Sequence, residues 1–215
     1  MSGRNGIEAD SDEVGSEEQL REIIAEPHRA IAEKAIDHVD EQSALFLRAS
    51  PFFVLATTCP DGSMDVSPRG DPPGGVLVVD EGRALVFADR KGNRRLDSLR
   101  NVLRHPQVGM LFFVPGSNDT MRVNGTATIL RGGPHLAELA VDGKRPDLAI
   151  RVRIDELYLH CAKAFLRSAL WDPASWPERG AVPSAGRIAK SQAGSRMPES
   201  VLNAALKLDA RFRKY

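Results

Sequence analysis

The chain has 215 residues, 42% hydrophobic and 27% charged, and its 29 basic and 29 acidic side chains balance to a net charge of +0. This content supports a sizeable core, while neutrality argues against a general nucleic-acid or membrane-surface binder, which carries an excess of Lys and Arg. Two cysteines, Cys59 and Cys161, and five scattered histidines offer no metal-ligand spacing, and no apolar run reaches the roughly 18 residues that span a membrane.

Residues 1–15 are acidic and bear Gly and Ser, which predicts a disordered tail, no signal peptide and a cytoplasmic protein. Ser16 followed by Gln19 is a capping-box start for a helix with a Leu20, Ile23, Ile24 stripe. Pro27 interrupts it, and a helical pattern resumes through Ile31, Ala35 and Val39. Glu41–Ala49 reads as a third helix, stopped at Ser50-Pro51. These residues, 16–50, form a helical lead.

From Phe52 the period changes to that of strands. Phe52–Thr58, Met64–Ser67, Val76–Val79 and Ala84–Ala88 read as strands, with a hairpin tip at Pro60-Asp61-Gly62 and a stiff loop, PRGDPPGG, over 68–75. Asn93–Arg104 reads as a helix with Leu96, Leu99, Val102 and Leu103 on one face. Val108–Val114 is an apolar strand. Met121–Ile129 alternates apolar and polar side chains, and Gly125 within it marks a bulge or a close contact. Gly133–Val141 reads as a short helix, Ile150–Ile154 as a strand and Tyr158–Ala164 as its partner. Beyond Trp171, Pro, Ser and Gly accumulate up to Pro198, and Glu199–Phe212 reads as a helix. Residues 172–215 are thus an extension that wraps the body or a partner subunit. Many strands, few helices and frequent Gly/Pro turns predict a mainly β fold over 51–171, a closed or nearly closed barrel with flanking helices.

Four constellations offer chemistry. Segment 83–104 holds seven basic and two acidic residues and ends a strand before a helix. Such a start favours a phosphate, which Arg90, Asn93, Arg94 and Arg95 would grip, although a solvated basic helix face fits the same residues. Ser67, Pro68 and Arg69 enter the stiff loop and offer a hydroxyl and a cation at a strand end; the alternative is a plain hairpin connection. Arg122 and Asn124 share the polar side of their strand, as surface residues or as ligand contacts. Lys163 and Arg167 share a helix face near Trp171, suiting a clamp on a flat anion or stacking on the protein itself. Cys161 reads as a buried small residue. The chain has no G-x-G-x-x-G, Walker or nucleophile-elbow motif.

Three stretches, FFVLATTCPDGSMDVSPRG, VLVVDEGRALVFADRKGNRRLDSLRNVLRHPQVGMLFFV and MRVNGTATI, resemble the pyridoxamine 5′-phosphate oxidase-like family of FMN-binding split barrels over residues 45–171. The resemblance implies FMN at a homodimer interface and redox chemistry on a small molecule. It implies that Arg94 and Arg95, with Asn93 and Arg90, hold the phosphate, and that Ser67, Pro68 and Arg69 line the isoalloxazine. It also implies that Lys163, Arg167 and Trp171 reach the flavin or substrate from the second chain. The pyridoxal-phosphate-binding pattern near the C-terminus of the true oxidases is missing, and the N-terminal lead and C-terminal arm are additions. A non-enzymatic flavin carrier, the same fold with a deazaflavin or haem, and a nucleic-acid module are the competing readings.

Overall fold

The change of period at Phe52 is where the sheet begins. A computed structural model describes residues 13–212; most of the expected tail, residues 1–12, lies outside them.

Residues up to Ala35 form a separate unit. It contains α1 (Glu17–Ile23) and α2 (Arg29–Ala32). Ser16 caps α1 by accepting from the Gln19 amide, and the Gln19 side chain accepts from Gly15 N–H at 2.8 Å, so the capping-box expectation holds. The helical pattern expected through Val39 does not continue. Instead Ile36 pairs antiparallel with Leu157 and Val39 enters the core, because burial of two apolar side chains outweighs weak helix propensity.

The second unit starts at Ile36. After α3 (Glu41–Ala49) come β1 (Phe52–Thr58), β2 (Met64–Gly70), β3 (Val76–Val79), β4 (Ala84–Asp89) and α4 (Asp97–Arg104). Then follow β5 (Gln107–Phe113), β6 (Thr120–Leu130), α5 (His135–Glu138), β7 (Leu148–His160), α6 (Lys163–Ser168), α7 (Ala185–Ala193) and α8 (Glu199–Phe212). The strands form one seven-stranded sheet in the order β2-β1-β5-β6-β7-β4-β3, antiparallel at every junction.

The sheet curls. Phe53 of β1 and Phe87 of β4 stand far apart in strand order, yet their rings meet edge to face at 4.9 Å. Phe112, its cross-strand partner on β5, packs on Phe53 at 4.8 Å. Around them Leu55, Leu85, Met110, Val123, Ile150 and Val152 are buried, with Leu47 from α3 and Leu99 and Val102 from α4 closing the interior. Each such side chain contributes about 1.5–3 kcal/mol by leaving water. β4 is buried on both faces, since Val86 and Ala88 meet Leu136 and Leu139 around α5; hence its unbroken apolar run.

The barrel is not closed. Strands β2 and β3 are the sheet's edges, with no backbone ladder between them, so the expectation of a closed or nearly closed barrel gives way to an open, curled sheet with a split. Pro68 shows why β2 ends the sheet: without an N–H, proline is tolerated on an edge strand. Other expectations change too. Strand β2 runs through Pro68 to Gly70, and α4 starts at Asp97, four residues after the expected Asn93. The expected pair Ile150–Ile154 and Tyr158–Ala164 is one continuous strand, β7, laddered to β6 along its length. The expected helix over Gly133–Val141 is only His135–Glu138. Helix α7 was not expected, although Ser184 caps its start and a left-handed Gly194 its end.

The bulge expected at Gly125 is present: the β6–β7 register shifts between Asn124 and Gly125. A Cβ there would stand 2.1 Å from the Arg153 carbonyl oxygen, and backbone cannot rotate aside as a side chain does. Gly125→Ala is therefore expected to destabilise the fold by about 1–3 kcal/mol, readable as a lower urea midpoint at unchanged m-value.

Candidate functional site

The pleat of β2 decides what lines the split. Asp65, Ser67 and Arg69 are half-buried on one face, while Met64, Val66, Pro68 and Gly70 are exposed on the other. The inward row faces the end of β4 and the start of α4. Arg69 Nη1 donates to Asp89 Oδ1 at 2.8 Å, and its Nε to Ser67 Oγ at 3.3 Å. Ser67 Oγ lies 3.1 Å from Ser98 Oγ, which donates to Asp65 Oδ2 at 2.7 Å. One turn along α4, buried Asn101 donates to Thr57 Oγ1 and accepts from Cys59 Sγ, both at 3.0 Å. These partners answer every polar atom that α4 presents to β1 and β2, as burial requires.

A second ion pair crosses the split. Arg90 Nε meets both oxygens of Asp71 at 2.9 Å, and Arg90 Nη2 donates to the Leu139 carbonyl at 2.7 Å. Both side chains are largely buried, 15% and 11% exposed. Burial pushes the Asp71 carboxyl above the ordinary carboxylate value even though Arg90 opposes the shift. The stiff loop behind it holds this geometry: the Asp71 and Gly74 amides donate to the Pro51 and Arg48 carbonyls, and a Cβ on Gly75 would stand 2.5 Å from the Asp71 Cβ. A recess of about 310 Å³ lies between Pro72–Gly75, Arg90 and residues 138–142.

The basic segment divides. Arg90 turns inward to Asp71. Lys91, Asn93, Arg94 and Arg95 stay exposed in the turn before α4, where the Asn93 side chain accepts from Arg95 N–H at 3.0 Å. Arg94 and Leu96 adopt left-handed backbone, φ +62° and +63°, so the turn cannot continue the helix backward and the cations precede it. Arg95 Nε reaches Asp97 at 2.7 Å, an exposed pair that solvent weakens. Arg94 makes no ion pair among the described residues.

The structure thus brings together Ser67, Arg69, Arg90 and the 93–95 turn, with Pro68 on the opposite face of its strand. It does not bring Lys163, Arg167 and Trp171 to them within one chain. Lys163 and Arg167 are exposed on α6, and Cys161 just before it, expected to be buried, is exposed as well because β7 has ended at His160. The Trp171 indole N–H donates to the Ser117 carbonyl at 2.7 Å and its ring stacks on Phe165, which leads through Phe113 to Phe52 on the outer face of β1 and β5. Arg122 and Asn124 do point the same way, and their partners are Tyr158 and Glu156 on the neighbouring strand. Asp65, Asp71, Asp89 and Ser98 are site residues that the sequence reading missed. The signal for Asp65 was available: two-residue alternation carried through Pro68 puts it on one face with Ser67 and Arg69.

The Arg90–Asp71 pair generates a prediction. Arg90→Met leaves a buried carboxylate without its cation and is expected to cost on the order of 2–3 kcal/mol at pH 7. The Asp71 value in the fold is already raised, so its protonated form favours folding. The loss is therefore largest once Asp71 is ionised, and it shrinks as pH falls through the raised value toward the ordinary 3.8. Urea titrations of both proteins at pH 7 and pH 4.5 measure the difference.

A family model described as pyridoxamine 5′-phosphate oxidase matches residues 39–161. No curated protein matches. Among solved structures, tagged HupZ from Group A Streptococcus is 13% identical, with a TM-score of 0.45 over 56% of this chain and 93% of its own. A protein named F420 reductase is 21% identical, with a TM-score of 0.43 over 56% of this chain and 98% of its own. A conserved hypothetical protein from Mycobacterium tuberculosis is 15% identical, with a TM-score of 0.40 over 69% and 96% of the two chains. The family match spans more than half of the sequence, and by it this chain belongs to the pyridoxamine 5′-phosphate oxidase family.

Proposed function

We propose that the chain binds FMN in its split and serves as an oxidoreductase on a small molecule, working as a homodimer. One observation carries the reading. A polar, preorganised wall, Ser67 and Arg69 held by Asp65, Ser98 and Asp89, lies next to an exposed cationic turn at the start of α4. A flat polar ring system with a phosphate tail suits both parts at once.

The residues present fit that group. Arg94 and Arg95 with the Asn93 turn would hold the phosphate, and the first free N–H groups of α4 add a favourable dipole. The Arg95–Asp97 pair is exposed, so exchanging it for a phosphate costs little. Ser67 and Arg69 would meet the ring, and Asp89 holds the Arg69 guanidinium in place. Arg90 supports the site from below, through Asp71 and the Leu139 carbonyl. When bound, FMN supplies the hydride or electron transfer; the chain binds it, orients it and shields it from water.

The outer face of β2, β1 and β5 supports the dimer. Met64 and Val66 are 61% and 63% exposed, and Phe52 is 39% exposed. In register across the strands they flank Val54, Ala56, Leu111 and Phe113. A continuous apolar patch of this kind marks an interface, and Trp171 adjoins it through Phe165, Phe113 and Phe52. Among the described residues no helix is long and apolar enough to cross a membrane.

An absorption spectrum of the purified protein, repeated after FMN addition and desalting, tests the cofactor: retained twin flavin bands support it and a featureless spectrum rejects it. Arg95→Ala is expected to weaken FMN about 10- to 150-fold, one charge-assisted contact, and unchanged affinity by calorimetry removes Arg95 from the phosphate site. Val66→Glu is expected to shift sedimentation toward the monomer, whereas a monomeric wild type rejects the dimer.

A further inference from the structure

A chain of hydrogen bonds runs along the wall of the split, and its direction is determined by counting protons. As an ionised carboxylate, Asp65 only accepts, so the contact of 2.7 Å uses the single hydroxyl proton of Ser98. Ser98 Oγ can then only accept from Ser67, 3.1 Å away, which uses the single proton of Ser67. Arg69 Nε donates into Ser67 Oγ at 3.3 Å. Ser67 therefore has no proton to offer a ligand, only a lone pair. Its neighbour is the reverse. Arg69 is held by Asp89 through Nη1 and by Ser67 through Nε, which leaves Nη2 and the second Nη1 N–H as donors and no acceptor at all. Ser98 is 5% exposed, so water does not compete for its proton.

We infer that Asp65 and Ser98 are positioning residues that make Ser67 an acceptor-only hydroxyl, and that Ser67 and Arg69 together read an imide edge, a ring N–H beside a carbonyl. The inference rests on the FMN reading and adds to it which edge of the ring is recognised and by what polarity. Oxidised flavin has a single ring N–H, on its pyrimidine imide, flanked by carbonyls; a deazaflavin shares that edge and a haem has none. An acceptor set beside a donor matches the N–H and the adjacent C=O. A serine free to rotate would match N–H and C=O equally well and would select neither.

The test compares FMN with 3-methyl-FMN, in which a methyl group replaces the hydrogen of that N–H, by fluorescence titration of the full chain. The wild type is expected to prefer FMN by about tenfold or more, and Ser98→Ala and Ser67→Ala to reduce the preference to about threefold or less. Partial unfolding of a variant scales both affinities alike, so the ratio reports the wall and not the stability. Equal affinity of the wild type for the two ligands overturns the imide assignment while leaving FMN binding intact. Full preference retained in Ser98→Ala overturns the role of Asp65 and Ser98, and if that variant does not fold, Ser67→Ala decides the assignment. Failure of the wild type to bind FMN at all overturns the FMN reading and this inference with it.

Discussion

Strands β2 and β3 end the same curled sheet without ladder bonds between them, and two ion pairs cross the gap instead. Arg69 of β2 meets Asp89 of β4, and Arg90 meets Asp71 in the loop after β2. A backbone ladder would have closed the barrel and filled its opening with main chain. Side-chain pairs instead tie β2 and the loop after it to the end of β4 and leave room beside them. The second pair carries a cost, visible in the raised Asp71 carboxyl, because two charges have left water. The fold tolerates it because Arg90 also satisfies a main-chain carbonyl and because the loop through Pro72 and Pro73 is too stiff to release Asp71.

The site follows from that clasp. The same two arginines that bridge the split line it, so the wall is already ordered before any ligand arrives, and preorganisation of this kind lowers the entropy lost on binding. Helix α4 contributes from both ends of its buried face. Leu99 and Val102 anchor it in the core, while Ser98 and Asn101 convert the remaining contacts into fixed hydrogen bonds with β1 and β2. The cations that precede it stay in solvent because the left-handed residues Arg94 and Leu96 turn the chain away from the helix axis.

The family was legible from three stretches of sequence, and the strand list from side-chain alternation and turn residues. Strands β1 and β3 and helices α3 and α8 match their expected bounds, since each is bracketed by Pro, Gly or a capping residue and has one clear period. The misreadings share a cause. Pro68 looked like a strand breaker, but an edge strand does not need its N–H. Ile150–Ile154 and Tyr158–Ala164 looked like two paired strands, but the register shift beside Gly125 lets β7 run on through Asp155 and Glu156. Arg90, Arg94 and Arg95 looked like one cluster, whereas Arg90 is drawn inward by an aspartate 19 positions away.

Local patterning by itself determined the mainly β class, the period of most elements, the bounds of β1, β3, α3 and α8, the start of the second unit's sheet at Phe52 and the existence of a basic turn before a helix. These are consequences of side-chain alternation, caps and backbone restrictions, all of which act over a few residues. Only the tertiary structure decided that the sheet stays open, that Asp71 and Asp89 claim Arg90 and Arg69, and that Ser67 is tied to Asp65 through Ser98. Those pairings join residues distant along the chain, and they form only once the sheet has curled far enough for Phe53 and Phe87 to touch.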